Sequence, residues 1–350
     1  MTQKSNHEYY MQRCIELAKN GTGQVAPNPM VGAVVVHKNR IIGQGYHAGF
    51  GEPHAEVHAI ARVKDKSLLP ESTLYVSLEP CAHQGKTPPC ADLIVAYRIP
   101  KVVIGMVDPF NQVNGAGIKR LEQAGCEVAT GVLEKECWDL NKAFITYHTQ
   151  KRPYIILKWA QTLDGLIDKK REPGFIQEPN WITNEVCRSL VHKWRSQVQS
   201  IMVGTHTAYI DNPQLNVRVW SGKAPLRIVL DKELKLDKKL HLFDQQQATL
   251  VLNSVKDAVD GLVEYKTLPF GDAFLRELMN ILYDKGVNSL LVEGGQQLLQ
   301  SFINKNYWDE ARVFTGNVFF NQGTAAPVIK GVVASHQKLR DNFLITYLNR

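Results

Sequence analysis

The sequence predicts an α/β protein of two domains, and three observations carry that expectation. Its 350 residues exceed what one apolar core usually serves, at roughly 100–200 residues per domain. Short β-branched runs alternate with helix-length amphipathic stretches, the pattern of a largely parallel sheet between helical layers. A polar break at Gln150-Lys151-Arg152-Pro153 separates two such alternations, so the domains are drawn at 1–150 and 151–350.

In the first half, residues 7–19 read as a helix with Tyr10, Cys14, Leu17 and Ala18 on one face. APNPM at 26–30 ends it, since two prolines cannot continue a helix. VGAVVVH and IIGQGYH flank Lys38-Asn39-Arg40 as a β-hairpin. A helix near 54–64, a strand at 73–79, a helix at 89–97 and a strand at 101–107 follow. A helix near 117–124, strand CEVATG and a helix at 133–145 complete this half. The second half restarts with strand PYIILKWAQ, a helix at 184–196, and strands SIMVG, LRIVLD and TLVLN. A helix at 272–284, strand SLLVEGG and a helix from Gln296 come next. In such sheets active groups gather where strands end.

Composition narrows the function classes. The chain is 44% hydrophobic and 21% charged, which excludes a disordered protein. Lys and Arg number 41 against 34 Asp and Glu, giving +7. Cut after Arg152, the halves carry +3 (17 basic, 14 acidic) and +4 (24 and 20). The excess forms no tail or block, so nucleic acid is not expected as a partner, and a phosphorylated small molecule suits it equally. The longest apolar run, around Gly32, is too short to span a bilayer, and MTQKSNHEYYMQRC lacks a signal peptide's apolar core. No membrane role and a cytoplasmic location are therefore expected. There, clustered cysteines read as ligands or catalysts. Cys14, Cys126, Cys137 and Cys187 read as small buried residues, while Cys81 and Cys90 stand apart.

His54-Ala55-Glu56, Pro80-Cys81 and Cys90 form one constellation. An imidazole and two thiolates suit Zn²⁺, and three protein ligands leave a fourth position open for catalysis. Water bound there has a pKa near 7, so hydroxide is available at neutral pH. Glu56, two residues from His54 at a helix start, can take the water's proton and pass it to a leaving amine. This is the zinc deaminase signature, with eight residues (AHQGKTPP) between the cysteines instead of the two of nucleic-acid deaminases. A zinc-protease reading fails on order: HAEVH is not His-Glu-x-x-His. A closed structural site would need a fourth ligand, for which His47, His58 and His83 are at hand.

GTGQVAPNPMVGAVVVHKNRIIGQGYHAGFGEPHAE at 21–56, EPCAHQGKTPPC at 79–90 and MVDPFNQVNGAG at 106–117 resemble the bifunctional riboflavin-biosynthesis deaminase–reductase family. The resemblance covers nearly the whole chain. It implies an N-terminal cytidine-deaminase-like three-layer αβα domain and a C-terminal domain related to dihydrofolate reductase. It implies one zinc per chain and NADPH as cofactors, a phosphoribosyl-pyrimidine substrate, and a homo-oligomer, dimer or tetramer. The 2-amino group of 2,5-diamino-6-(5-phosphoribosylamino)pyrimidin-4(3H)-one would be hydrolysed, and the ribosyl group then reduced to ribityl. Asn28 would read the pyrimidine edge, since an amide offers both a donor and an acceptor. His47, His83 and Lys86 would face ribose and phosphate, and Asp108 would accept from the substrate.

No strand–GxGxxG–helix unit marks a Rossmann site in the second half. KWAQTLDG at 158–165, WIT at 181–183, VGTHTAYIDNPQLNVR at 203–218 and VEGGQQLL at 292–299 resemble the family's reductase domain. The match implies cofactor contacts at Trp181, Thr183, Thr207 and Asp211, and substrate contacts at Leu215 and Glu293. Lys158, Arg195 and Arg218 could grip phosphate and ribose, arginine being suited to bidentate contacts. Gly294-Gly295, between a strand and a helix start, offers bare backbone to a phosphate. Three positions depart from the family pattern: Asp108-Pro109-Phe110-Asn111 replaces Asp-Pro-Asn-Pro, Pro179 replaces a serine, and Gln199 replaces an Asp, the last expected to concern packing. A nucleic-acid base deaminase with an appended domain is the alternative reading. A gel shift with single-stranded DNA or transfer RNA at physiological salt separates the two.

Overall fold

In the computed structural model, which describes residues 3–82, 88–109, 115–171 and 180–349, the chain divides into two units, Met1–Lys151 and Arg152–Arg350. Helix α1 (Gln3–Ala18) opens the first. Strands β1 (Gly32–His37) and β2 (Arg40–Tyr46) pair antiparallel through Lys38 and Asn39, both at positive φ. That geometry matches the right-handed twist of the flanking strands. Then come α2 (Ala55–Ala61), β3 (Thr73–Leu78), α3 (Cys90–Ala96), β4 (Lys101–Met106), α4 (Ala116–Gln123) and β5 (Glu127–Ala129). The helix expected at 133–145 is two helices, α5 (Glu134–Leu140) and α6 (Lys142–Gln150), broken at Asn141. The Asn141 amide is spent on a distant backbone: its Oδ1 accepts from Met30 N at 2.8 Å and its Nδ2 donates to Met30 O at 3.0 Å.

The five strands run in the order β2-β1-β3-β4-β5, with β3, β4 and β5 parallel. One face packs Val35, Leu74, Val76, Val102 and Ile104 against α2, α3 and α4 through Ala59, Ile60, Ile94 and Leu121. The other packs Val34, Val36, Tyr75 and Val103 against α1, α5 and α6 through Met11, Cys14, Cys137 and Phe144. Strands buried on both faces explain the continuous apolar runs in the sequence. Helix α2 closes on β2 because Gly43 and Gly45 leave room: a Cβ on them would fall 2.3 Å from Ala59 O and 2.5 Å from His58 Cβ.

The second unit contains β6 (Tyr154–Gln161), β7 (Leu166–Lys169), α7 (Glu185–Arg195), β8 (Ser200–Val203), α8 (Thr205–Asp211), β9 (Leu226–Leu230) and β10 (Thr249–Asn253). It continues with β11 (Ala258–Asp260), β12 (Val263–Thr267), α9 (Phe274–Asp284), β13 (Ser289–Glu293) and α10 (Gln296–Asn304). The last strands are β14 (Glu310–Thr315), β15 (Gly323–Ala325), β16 (Val332–Leu339) and β17 (Asn342–Leu348). Ten of them form one sheet, β11-β12-β10-β9-β8-β13-β6-β14-β17-β16, parallel from β12 to β14. Helices α9 and α10 cover one face through Leu278, Leu282, Leu299 and Phe302. On the other face α7 packs Cys187, Val191 and Trp194 against Phe314 and Leu344. Asn184 caps α7, its side chain accepting from Cys187 N at 3.1 Å. Gln199 ties the starts of β8 and β13: its Oε1 accepts from Asn288 N and its own N–H donates to Ser289 Oγ at 3.0 Å. No helix among the described residues is long and apolar enough to cross a membrane.

Candidate functional site

In the first unit the motif residues meet where β3 and β4 end. His54 is the N-cap of α2, Cys90 opens α3, and Cys81 lies three residues beyond β3. His54 Nδ1 stands 3.2 Å from Cys90 Sγ and 3.6 Å from Cys81 Sγ. Nitrogen and sulfur ligands at about 2.0–2.1 and 2.3 Å round a tetrahedral ion lie about 3.6 Å apart, so the donor set fits zinc. Among the described residues these three are the one His/Cys/Asp/Glu cluster with metal-holding geometry. Hydrogen bonding from Cys90 lowers Cys81, while the same bond and then burial push Cys90 up, so only one of the two ionises readily.

Glu56 sits in the first turn of α2, 3% exposed. Burial pushes its carboxyl up to about 7, against the pull of His54, and it exchanges a hydrogen bond with Cys90. His47 is buried, edge-on to the His54 ring at 5.4 Å between centroids. Burial lowers its pKa, so the ring is neutral at neutral pH. Its Nδ1 lies 3.2 Å from Pro53 O, a pure acceptor, and therefore carries the proton. Its Nε2 then accepts from Asn28 Nδ2 at 3.1 Å. Asp108 is buried just past β4, and its N–H donates to Glu79 Oε2 at 3.2 Å. His83, Lys86, Phe110, Asn111 and Pro179 lie outside the described residues.

In the second unit every residue singled out from the sequence lines one cleft of about 1560 Å³: Lys158, Trp181, Thr183, Arg195, Thr207, Asp211, Leu215, Arg218, Glu293, Gly294 and Gly295. Lys158 and Glu293 face each other across β6 and β13. Arg195, ending α7, grips Glu293 with two bonds, Nε–Oε1 at 3.0 Å and Nη2–Oε2 at 2.9 Å, and Lys158 Nζ stands 3.6 Å away. Burial alone would raise Glu293, but Arg195 and then Lys158 outweigh it and hold the carboxyl at about 2. Trp181 is no core residue: it is 59% exposed, with the Arg188 guanidinium 4.7 Å over its ring. Burial, then the nearby Asp168, raises Asp211 to about 6. Gly294 and Gly295 lead into α10, and a Cβ on Gly295 would meet Thr207 Oγ1 at 3.4 Å. Bare backbone at the start of a nine-residue helix, inside a cleft of this size, fits a dinucleotide phosphate.

Three residues of these sites escaped the sequence. His192 lines the cleft, and burial, then Arg195 and Arg218, lower it to about 4. Its Nδ1 accepts from Arg218 N at 3.4 Å. Asn141 and Glu79 are the others, and all three act on backbone groups remote in sequence. Only Glu79 carried a signal, an acid wedged between an apolar strand and Pro80-Cys81.

Residues 153–346 match the RibD C-terminal domain, and residues 4–106 match the cytidine and deoxycytidylate deaminase zinc-binding region. The chain is 38% identical over 319 residues to the riboflavin biosynthesis protein RibD of Aquifex aeolicus, covering 90% of this chain and 88% of that one. Against the RibD of Bacillus amyloliquefaciens it is 40% identical over 329 residues, covering 91% and 86%. Among solved structures it is similar to the diaminohydroxyphosphoribosylaminopyrimidine deaminase/5-amino-6-(5-phosphoribosylamino)uracil reductase of Thermotoga maritima. There the identity is 37% and the TM-score 0.90, with both chains fully covered. Acinetobacter baumannii RibD gives 29% and 0.88, covering 99% of each chain.

Proposed function

The chain belongs to the RibD family of bifunctional riboflavin-biosynthesis deaminase–reductases, and on that premise we propose its substrates and the residues that work on them. The deaminase half hydrolyses the 2-amino group of 2,5-diamino-6-(5-phosphoribosylamino)pyrimidin-4(3H)-one. The reductase half then converts the ribosyl group of the product to ribityl with NADPH. The division of labour falls at 150/151. The observation that carries the reading is the His54, Cys81 and Cys90 donor set beside a buried Glu56.

His54 Nδ1 and the sulfurs of Cys81 and Cys90 would hold the zinc. When bound, zinc supplies Lewis acidity, bringing a water's pKa to about 7 from 15.7. Glu56 moves the protons: a buried carboxyl beside the donor set can accept a proton from water and deliver it to the departing nitrogen. His47 sets the Asn28 amide, leaving its Oδ1 and second N–H to read the pyrimidine edge. Asp108 accepts from the substrate, and His83 and Lys86 serve ribose and phosphate.

In the cleft, Lys158, Arg195 and Arg218 gather positive charge for the phosphoribosyl group, and the charged Glu293 fixes the first two. Leu215 packs against the substrate. NADPH, when bound, supplies the hydride. Gly294 and Gly295 take its phosphates, with Thr207, Asp211, Trp181 and Thr183 along its length. All six cysteines stand as free thiols, which supports work in a reducing cytoplasm. The family's homo-oligomer, dimer or tetramer, is part of the same proposal, checked by sedimentation.

The test supplies the diaminopyrimidine phosphate and NADPH and follows ammonia and NADPH absorbance together. Ammonia should appear first and NADPH consumption should follow it. Absence of ammonia refutes the deaminase reading, and ammonia without NADPH loss refutes the reductase reading.

A further inference from the structure

Glu79 is a buried carboxylate that the chemistry above leaves without a task. It is 4% exposed and directly precedes Pro80-Cys81. No cation answers it among the described ion pairs; backbone N–H groups do. Its Oε2 accepts from Asp108 N at 3.2 Å and Gly115 N at 3.1 Å. Its Oε1 accepts from Gly117 N at 2.9 Å and Ile118 N at 3.3 Å. A charged carboxylate is the one side chain that can face four donors without presenting a donor of its own.

Gly117 completes the joint. A Cβ there would fall 2.0 Å from Pro80 O and 3.2 Å from Glu79 Oε1, so only glycine lets the first turn of α4 press on this segment. Glu79 N also donates to Met106 O at 3.0 Å, tying the same residue to the end of β4. The peptide that delivers Cys81 is therefore held by the carboxylate and the amide of Glu79, with Gly117 close against the Pro80 carbonyl. The other side of the clasp includes the backbone of Asp108.

We propose that Glu79 is a positioning residue of the deaminase: its carboxylate sets where Cys81 stands toward the metal and where Asp108 stands toward the substrate. This rests on the reading of His54, Cys81 and Cys90 as the metal ligands. The supporting contacts of metal ligands typically change metal affinity by 10–100-fold when lost. Glu79→Gln keeps the shape but turns an amide N–H₂ toward two of the four donors. Glu79→Asp keeps the charge and draws it back by one methylene.

The test loads the metal-free full chain with cobalt(II), which reports ligand geometry through its visible bands and thiolate ligation through its near-ultraviolet charge transfer. Affinity is read by competition with a chromophoric chelator. For Glu79→Gln we expect about 10–100-fold weaker cobalt binding and weakened tetrahedral bands, with a smaller change in the same direction for Glu79→Asp. NADPH oxidation on the deaminated substrate should be unchanged in both, and a cooperative melt of the first half in the metal-free variant certifies that the half carrying Glu79 is folded. A lower melting point of the metal-free protein with parental cobalt affinity and spectrum would reduce Glu79 to a scaffold residue and overturn the proposal. If Glu79→Gln is not recovered folded, Glu79→Asp decides alone: a parental spectrum and affinity overturn the proposal. Failure of the parent itself to show thiolate charge transfer would instead refute the ligand assignment.

Discussion

In the first half, His54, Cys81 and Cys90 bring together donors that cannot all hold their charge without a cation. In the second, Glu293 holds Arg195 and Lys158 with a charge from the protein's own side chains, one carboxylate between two cations. One cluster is a donor set that a metal would complete, and the other is held by its own ion pairs. The first should therefore respond to chelation and the second to acid, and each response is a way to break the comparison.

The largest effect is expected at Glu56. Glu56→Gln should retain zinc and slow ammonia release by about 10²–10⁴-fold, with NADPH oxidation on the deaminated substrate intact. Full ammonia release by that variant would remove Glu56 from proton transfer. Next comes Glu293→Gln, which leaves two cations in the cleft without their carboxylate. Breaking a fully buried pair costs about 3–5 kcal/mol; these cleft-lining side chains are 11–17% exposed, so a smaller loss is expected, read as an early melt of the second half by calorimetry. The same pair sets an acid response. A carboxyl held at about 2, against an ordinary 4.5, stabilises the fold fully above 4.5 and loses that contribution as pH falls toward 2. Between pH 4.5 and 2 the melting point of the second half should fall, and Glu293→Gln should flatten that slope. An equal slope in the variant would mean other carboxylates carry it.

Zinc sharpens the contrast from the other side. At a hundredfold excess over its dissociation constant it should stabilise the first half by about 2.7 kcal/mol. The second half's transition should not move, and a parallel shift of both would contradict two independent centres. The smallest effect is expected at Asn141→Ala, which frees both backbone groups of Met30. It should cost about 1–3 kcal/mol and raise the deaminase KM more than it lowers kcat, because Met30 follows the Asn28 loop.

How far each half could be read in advance follows the same divide. The donors His54, Cys81 and Cys90 sit in short runs with proline and glycine fixing the local chain, so three fragments sufficed to bring them together as a candidate centre. The residues singled out in the second half all reached one cleft, yet the contact between Arg195 and Glu293 spans 98 positions, and no periodicity announces it. His192 and Asn141 were silent because a side chain bonded to distant backbone leaves no spacing rule behind, and Glu79 showed only its place between an apolar strand and Pro80-Cys81. Strands β14 to β17 went unseen for a related reason. β16 lies at the sheet edge and is mostly exposed along its length, so it lacks the apolar run that gave away β6, β10 and β13. The single helix expected at 133–145 failed where Asn141 gave up helical geometry for its grip on Met30.

The separate apolar interiors have a consequence for how two chemistries come to share a chain. Each cluster of core residues described here draws its members from one side of the Lys151–Arg152 junction only. Translating both catalysts as one message fixes their ratio at one to one, so neither can be made in excess of the other.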